Sequence, residues 1–156
     1  MKVHKVISNA ALWVPVSVRK CWFGDALQHQ KGVMRSPLLW LYRDNNDLYL
    51  VNDSGESLTK VIADCAGFQT VDDDVLTTNS IEPYCYEAVL PNTAVKVEEY
   101  DGFYDLDYML QVYLTIQSPA LGHVEFVTPM AKGGISDTVL LWQMGETGKG
   151  VTLKYL

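Results

Sequence analysis

Between residues 106 and 116 the chain alternates without a break. Leu106, Tyr108, Leu110, Val112, Leu114 and Ile116 fall on one side of an extended backbone, and Asp107, Gln111 and Thr115 fall on the other. At a helical repeat these residues scatter around the cylinder, and their β-branched and aromatic side chains suit a pleated strand. A half-buried strand of this length needs a second apolar layer over its inner face, which restricts the chain to a layered, strand-based architecture.

The remaining chain reads the same way. Leu12, Val14, Val16 and Val18 alternate as a first core strand. Segments 38–43 and 47–52 form a hairpin through Asp44-Asn45-Asn46, whose side chains tolerate the left-handed backbone of a tight turn. Val95 and Val97 alternate with Lys96 and Glu98, and the acidic loop Asp101-Gly102-Phe103-Tyr104-Asp105 joins them to 106–116, so 95–116 is expected to be a second hairpin. Strands are also expected at 58–63, 67–71, 84–90, 123–128, 138–144 and 151–156, divided by clusters of Gly, Pro, Asn and Asp. Segments 20–31 and 72–80 lack alternation and read as loops or short helices.

No internal repeat or Pro/Ser-rich linker divides the 156 residues, so one domain is expected. Eight or nine short strands favour an all-β fold, a two-sheet antiparallel β-sandwich, with a β-barrel as the nearer alternative and α+β as the further one. Cys21, Trp40 and Cys85 follow the order found in immunoglobulin domains, but Pro83 stands where those domains place a tyrosine. The strand pattern alone therefore carries the sandwich.

Twelve Lys and Arg against nineteen Asp and Glu give a formal charge of -7, which repels phosphate backbones and disfavours nucleic acid as a partner. The same balance suits a basic protein partner or a cation, and it also serves solubility. Three cysteines, Cys21, Cys65 and Cys85, cannot all pair within the chain and show no CxxC spacing; they read as reduced thiols in a cytoplasmic protein. The start of the chain looks superficially like a signal peptide, but Ser8, Asn9 and Pro15 interrupt its apolar stretch. No run approaches the roughly 20 apolar residues of a membrane helix, so no membrane association is expected.

Catalytic and metal signatures are weak. Gly145-Glu146-Thr147-Gly148-Lys149-Gly150 has the wrong spacing for a phosphate loop and lacks a hydroxyl after Lys149, so it reads as a glycine-rich turn. His4, His29 and His123 sit in no local nucleophile signature, and the His and Cys residues are too scattered for zinc. Asp72-Asp73-Asp74 cannot aim three carboxylates at one point along an extended chain and reads as a solvated turn or helix start. No metal site and no cofactor motif are assigned.

The feature that most suggests recognition is the 98–108 segment. A hairpin there brings Glu98, Glu99, Asp101, Asp105 and Asp107 near Tyr100, Phe103, Tyr104 and Tyr108, a set able to hold a cation, a sugar or a basic side chain. Glu99, Asp101, Phe103, Tyr104 and Asp105 are the candidate binding residues. The hairpin 38–52 is apolar on both faces, which implies burial on both sides by its own domain or an aromatic face for self-association. Together these features point to a non-catalytic interaction or ligand-binding module engaging a basic protein or a cation. The alternative is a small hydrolase using paired carboxylates.

Overall fold

The computed structural model describes residues 4–8, 37–71, 74–79, 83–102 and 107–156, and among them there are strands and turns but no helix. The expected strand at 12–18, Cys21, His29, the 20–31 segment, Asp72, Asp73, Phe103, Tyr104, Asp105 and Leu106 lie outside the described residues. In chain order the strands are β1 (Val6–Ile7), β2 (Pro37–Asp44), β3 (Asp47–Asn52), β4 (Leu58–Val71), β5 (Asp74–Asn79) and β6 (Tyr84–Val89). They continue as β7 (Thr93–Glu99), β8 (Met109–Ser118), β9 (Gly122–Val127), β10 (Ala131–Lys132), β11 (Thr138–Trp142) and β12 (Thr152–Tyr155).

Sheet one has the order β1-β7-β3-β2-β11 and sheet two the order β12-β9-β8-β4-β5. In sheet two, β10 follows β9 along β8, and β6 and β5 share one edge of β4. All pairings are antiparallel and neither sheet closes on itself. The fold is the sandwich that the alternation predicts, rather than a barrel or an α+β arrangement.

On β8 every second residue is buried: Leu110, Val112, Leu114 and Ile116 face inward, and their neighbours are half-buried. With Val61 and Ala63 of β4 and Val124 and Phe126 of β9 they meet Leu39, Leu41, Leu48, Leu50, Val95 and Val97 of sheet one in one apolar core. Burying each of the leucines contributes on the order of 1.5–3 kcal/mol, which sets the pairing register firmly, since a one-residue slip would turn this whole set outward.

Three expectations need correction. The 95–116 hairpin does not exist: β7 pairs with β1 and β3 in sheet one, and β8 pairs with β4, β9 and β10 in sheet two, so 100–108 crosses between layers. Local alternation is the same for either arrangement, and the partner is decided by distant strands. Segments 58–63 and 67–71 are halves of one fourteen-residue strand. Gly67 does not break it; a Cβ there would press on the Met109 carbonyl and the Leu110 side chain at 2.5 Å, so glycine lets β8 lie close. Segment 72–80 contains the strand β5, paired along residues 66–71.

The β2–β3 hairpin is as expected, with Asp44 opposite Asp47 and Asn45 at φ 55 in the turn. Its two apolar faces are both covered within the chain. Trp40, Tyr49 and Val51 form a second buried cluster with Ala94 and Val139 on the outer side of sheet one, and Trp40 and Tyr49 are 0% and 1% exposed. The Trp40 indole N–H donates to Asp53 Oδ2 at 2.8 Å.

The glycine-rich 145–150 segment covers the outer edge of β11. Trp142 N–H donates to the Glu146 carbonyl and Gly148 N–H to the Leu140 carbonyl, so backbone groups of an edge strand find partners within the chain. Any side chain at Gly148 would collide with the Val139 carbonyl.

Candidate functional site

A bulge between β3 and β7 builds the site. Leu48 stands opposite Glu98 and Tyr49 opposite Lys96, leaving Val97 as the extra residue on β7. In a regular strand Lys96 and Glu98 share a face. The added residue instead puts Glu99 on the face of Lys96 and turns Glu98 inward, where it is 7% exposed.

On the outer face Lys96 Nζ lies 3.2 Å from Asp47 Oδ1 and 3.2 Å from Glu99 Oε2. Burial opposes the charge on Lys96, but the hydrogen bonds to Glu99 and Asp47 outweigh it and hold the ammonium above its ordinary pKa. Lys96 therefore stays charged.

The carboxylates form a row. Asp44 is registered opposite Asp47 on β3, and Asp47 is registered opposite Glu99 on β7, so three acids lie side by side across three adjacent strands. Like charges directly opposite each other are destabilising in a sheet, and Lys96 is the ammonium that offsets two of the three. Tyr100 N–H donates to the Asn46 carbonyl at 2.7 Å, and Gly102 lies against the Asn46 side chain, so exposed Asp101 extends the row along the β2–β3 turn.

Arg43, one residue before Asp44, turns to the opposite face. Its guanidinium lies 4.4 Å from the centre of the Tyr100 ring, and it donates from Nη1 to the Ile135 carbonyl and from Nε to the Asn45 carbonyl. It closes the end of the core and leaves the rim acidic. Gly134, at φ 112, packs so close that a Cβ would touch both Arg43 and the Tyr100 ring.

Beneath the row the two sheets are tied by tyrosines. The Tyr86 hydroxyl donates to the Lys96 carbonyl at 2.6 Å and accepts from the Lys5 N–H at 3.2 Å. Cys85 N–H donates to His4 Nε2 at 3.2 Å, with the imidazole against the rings of Tyr84 and Tyr86. Burial, reinforced by the nearby Glu98 charge, pushes the Tyr84 phenol well above its ordinary pKa. Burial does the same for Tyr100.

Of the five candidate binding residues, Glu99 and Asp101 stand on this rim and are exposed, whereas Phe103, Tyr104 and Asp105 lie outside the described residues. Glu98, grouped with them by sequence, faces inward. Asp107 is exposed and Tyr108 half-buried, both beyond the crossover. Asp44, Asp47 and Lys96 were missed as members. The acids flanking the Asn45-Asn46 turn were a visible signal, but their place beside Glu99 follows only from the β3–β7 pairing.

Comparison with known proteins gives no counterpart. No family model matches the chain, and no curated protein or solved structure matches it.

Cavities are small. One groove of about 130 Å³ lies between β1, β6 and β7, lined by Val6, Tyr86, Ala88, Leu90 and Val95 among others, and another of about 160 Å³ lies between the 54–56 and 120–121 turns. Both fall below the roughly 300 Å³ at which small-molecule sites begin. Among the described residues no three His, Cys, Asp or Glu side chains converge as metal ligands do, and no helix is long and apolar enough to cross a membrane.

Proposed function

We propose that the chain is a non-catalytic interaction module whose acidic rim receives a basic segment of a partner protein. The observation that carries this reading is the registered row Asp44, Asp47 and Glu99, continued by Asp101 and offset by Lys96. A sheet gains nothing in folding from aligned like charges, whereas an arginine or lysine of a partner laid across the row converts that repulsion into attraction. The carboxylates do not converge on one point, so spaced side-chain cations suit them better than a single ion. The overall charge of -7 adds long-range attraction for a basic partner. The three cysteines, scattered along the chain without CxxC spacing, support a cytoplasmic setting.

Titration calorimetry with an arginine-rich and a glutamate-rich peptide of equal length tests the reading. The arginine-rich peptide should bind with an affinity that weakens as salt rises, and Asp44→Asn combined with Glu99→Gln and Asp101→Asn should remove most of that binding in a protein that stays folded, its melting temperature lowered only by the lost Glu99–Lys96 ion pair. Equal binding by the folded triple variant, or no preference between the peptides, would show that the rim is not the contact surface.

A further inference from the structure

We infer that the open edge of β12 is a docking strip for an extended acidic segment of a partner protein, which adds there as a further antiparallel strand of sheet two. Among the described residues β12 has one neighbouring strand, β9. The pairing sets Leu153 opposite Phe126, Lys154 opposite Glu125 and Tyr155 opposite Val124, and the Leu156 N–H donates to the His123 carbonyl at 2.9 Å. Along an antiparallel strand the backbone groups of successive residues point to alternate sides. Lys154 and Leu156 therefore bond toward β9, and the N–H and C=O of Leu153 and Tyr155 point away from it, four groups in a row along the edge. Other edges are closed by the chain itself: the 145–150 segment bonds to β11, and on β6 the Cys85 N–H donates to His4 Nε2. An edge left open is a template for strand addition.

Side chains decide the occupant. Leu153 and Tyr155 stand opposite two fully buried residues, so they lie on the inner face of sheet two, where Leu153 packs on the core and Tyr155 is 74% exposed. Lys154 takes the outer face and is exposed. A second copy fits badly. Two antiparallel β12 strands satisfy all four outward groups only when Leu153 of each meets Tyr155 of the other, and that register sets Lys154 directly against Lys154. Sliding by two residues to separate the lysines sets Tyr155 against Val151, whose N–H is already given to the Gly148 carbonyl. The lysine thus guards the edge against self-pairing and selects, in a partner, an acid flanked by two apolar residues. The apolar pair lies beside Leu153 and Tyr155, and the acid meets Lys154 on the face that Glu125 shares. The ammonium then has two carboxylates, as Lys96 has in Asp47 and Glu99. This strip belongs to sheet two and does not depend on the acidic rim of sheet one.

Two short peptides, one alternating valine with glutamate and one alternating valine with lysine, are titrated into the full-length protein while amide signals and amide hydrogen exchange are followed by NMR. The glutamate peptide should shift the Leu153 and Tyr155 amides and slow their exchange several-fold. The lysine peptide should leave those two amides unchanged, whatever it does at the rim. Tyr155→Pro removes an outward N–H without touching a bond to β9, so the protein should stay folded and lose the binding. Lys154→Glu, which adds no backbone constraint, should reverse the preference between the peptides. No protection of either amide by the glutamate peptide, equal protection by both peptides, undiminished binding to folded Tyr155→Pro, or an unchanged preference in Lys154→Glu would each overturn the inference. So would a dimer of the protein alone in which these two amides are already protected.

Discussion

The Tyr86 hydroxyl, carried on sheet two, donates to the Lys96 carbonyl of sheet one at 2.6 Å, and Lys96 N–H in turn donates to the Lys5 carbonyl. With the Lys5 N–H donating to the same hydroxyl, three hydrogen bonds close a ring that joins β1, β6 and β7. Tyr86 is 8% exposed, so removing its oxygen leaves backbone groups short of a partner in a dry place. Tyr86→Phe should cost about 1–2 kcal/mol. Urea unfolding would register this as a lower midpoint with an unchanged slope; an unchanged midpoint would mean water replaces the hydroxyl.

Placing a cation in the acid row should stabilise the fold. Asp44→Lys sets an ammonium directly opposite Asp47 and is expected to gain roughly half a kcal/mol. The gain should shrink as salt is added, because these groups face water. Chemical denaturation at low and high ionic strength checks both statements, and a loss of stability at low salt would contradict the like-charge account of the row.

Alkaline pH should unfold the protein cooperatively. The phenols of Tyr84 and Tyr100 are raised above their ordinary 10.0, chiefly by burial, so the folded state keeps protons that the unfolded chain releases. Stability is therefore complete below that ordinary value and falls as pH climbs toward the raised ones. Lys96 acts in the same direction, because its paired ammonium is also raised and its contribution disappears as it deprotonates. Denaturation followed at stepped pH should show a falling free energy above about pH 10, and Tyr84→Phe should flatten that fall.

Gly148 should be intolerant of substitution. A methyl group there meets the Val139 carbonyl, a backbone atom that cannot move aside cheaply. Gly148→Ala should cost about 2–3 kcal/mol or force 146–148 away from β11, exposing an edge that invites strand addition. Thermal melting and light scattering together separate the outcomes; a normal melt without association would contradict the close packing.

Elements defined by short-range pattern were legible in the sequence. The β2–β3 hairpin follows from alternation on either side of an Asn pair, and the inward set of β8 is written in its period of two. What sequence could not give was the choice between equivalent partners. Val95 and Val97 look the same whether their strand pairs with 106–116 or with β3, and only the requirement that Leu48, Leu50 and the two valines share an inner face selects β3. The acid row was half visible for the same reason. Glu99 and Asp101 stood out locally, but Asp44 and Asp47 join them through a pairing some fifty residues away, and the bulge that exchanges Glu98 for Glu99 has no local mark.

The chain changes layers at five connections among the described residues: β3 to β4, β6 to β7, β7 to β8, β10 to β11 and β11 to β12. Neither layer can thus be completed from a continuous stretch of chain, and an N-terminal or C-terminal half has no closed core of its own. The two layers must condense together through many distant closures, which places refolding in the slow range of small domains, on the order of milliseconds to seconds. A chain emerging from the ribosome would hold β2 and β3 with their apolar inner face uncovered until β8 and β9 arrive, so during synthesis Leu39, Leu41, Leu48 and Leu50 would be the surface for a chaperone to shield.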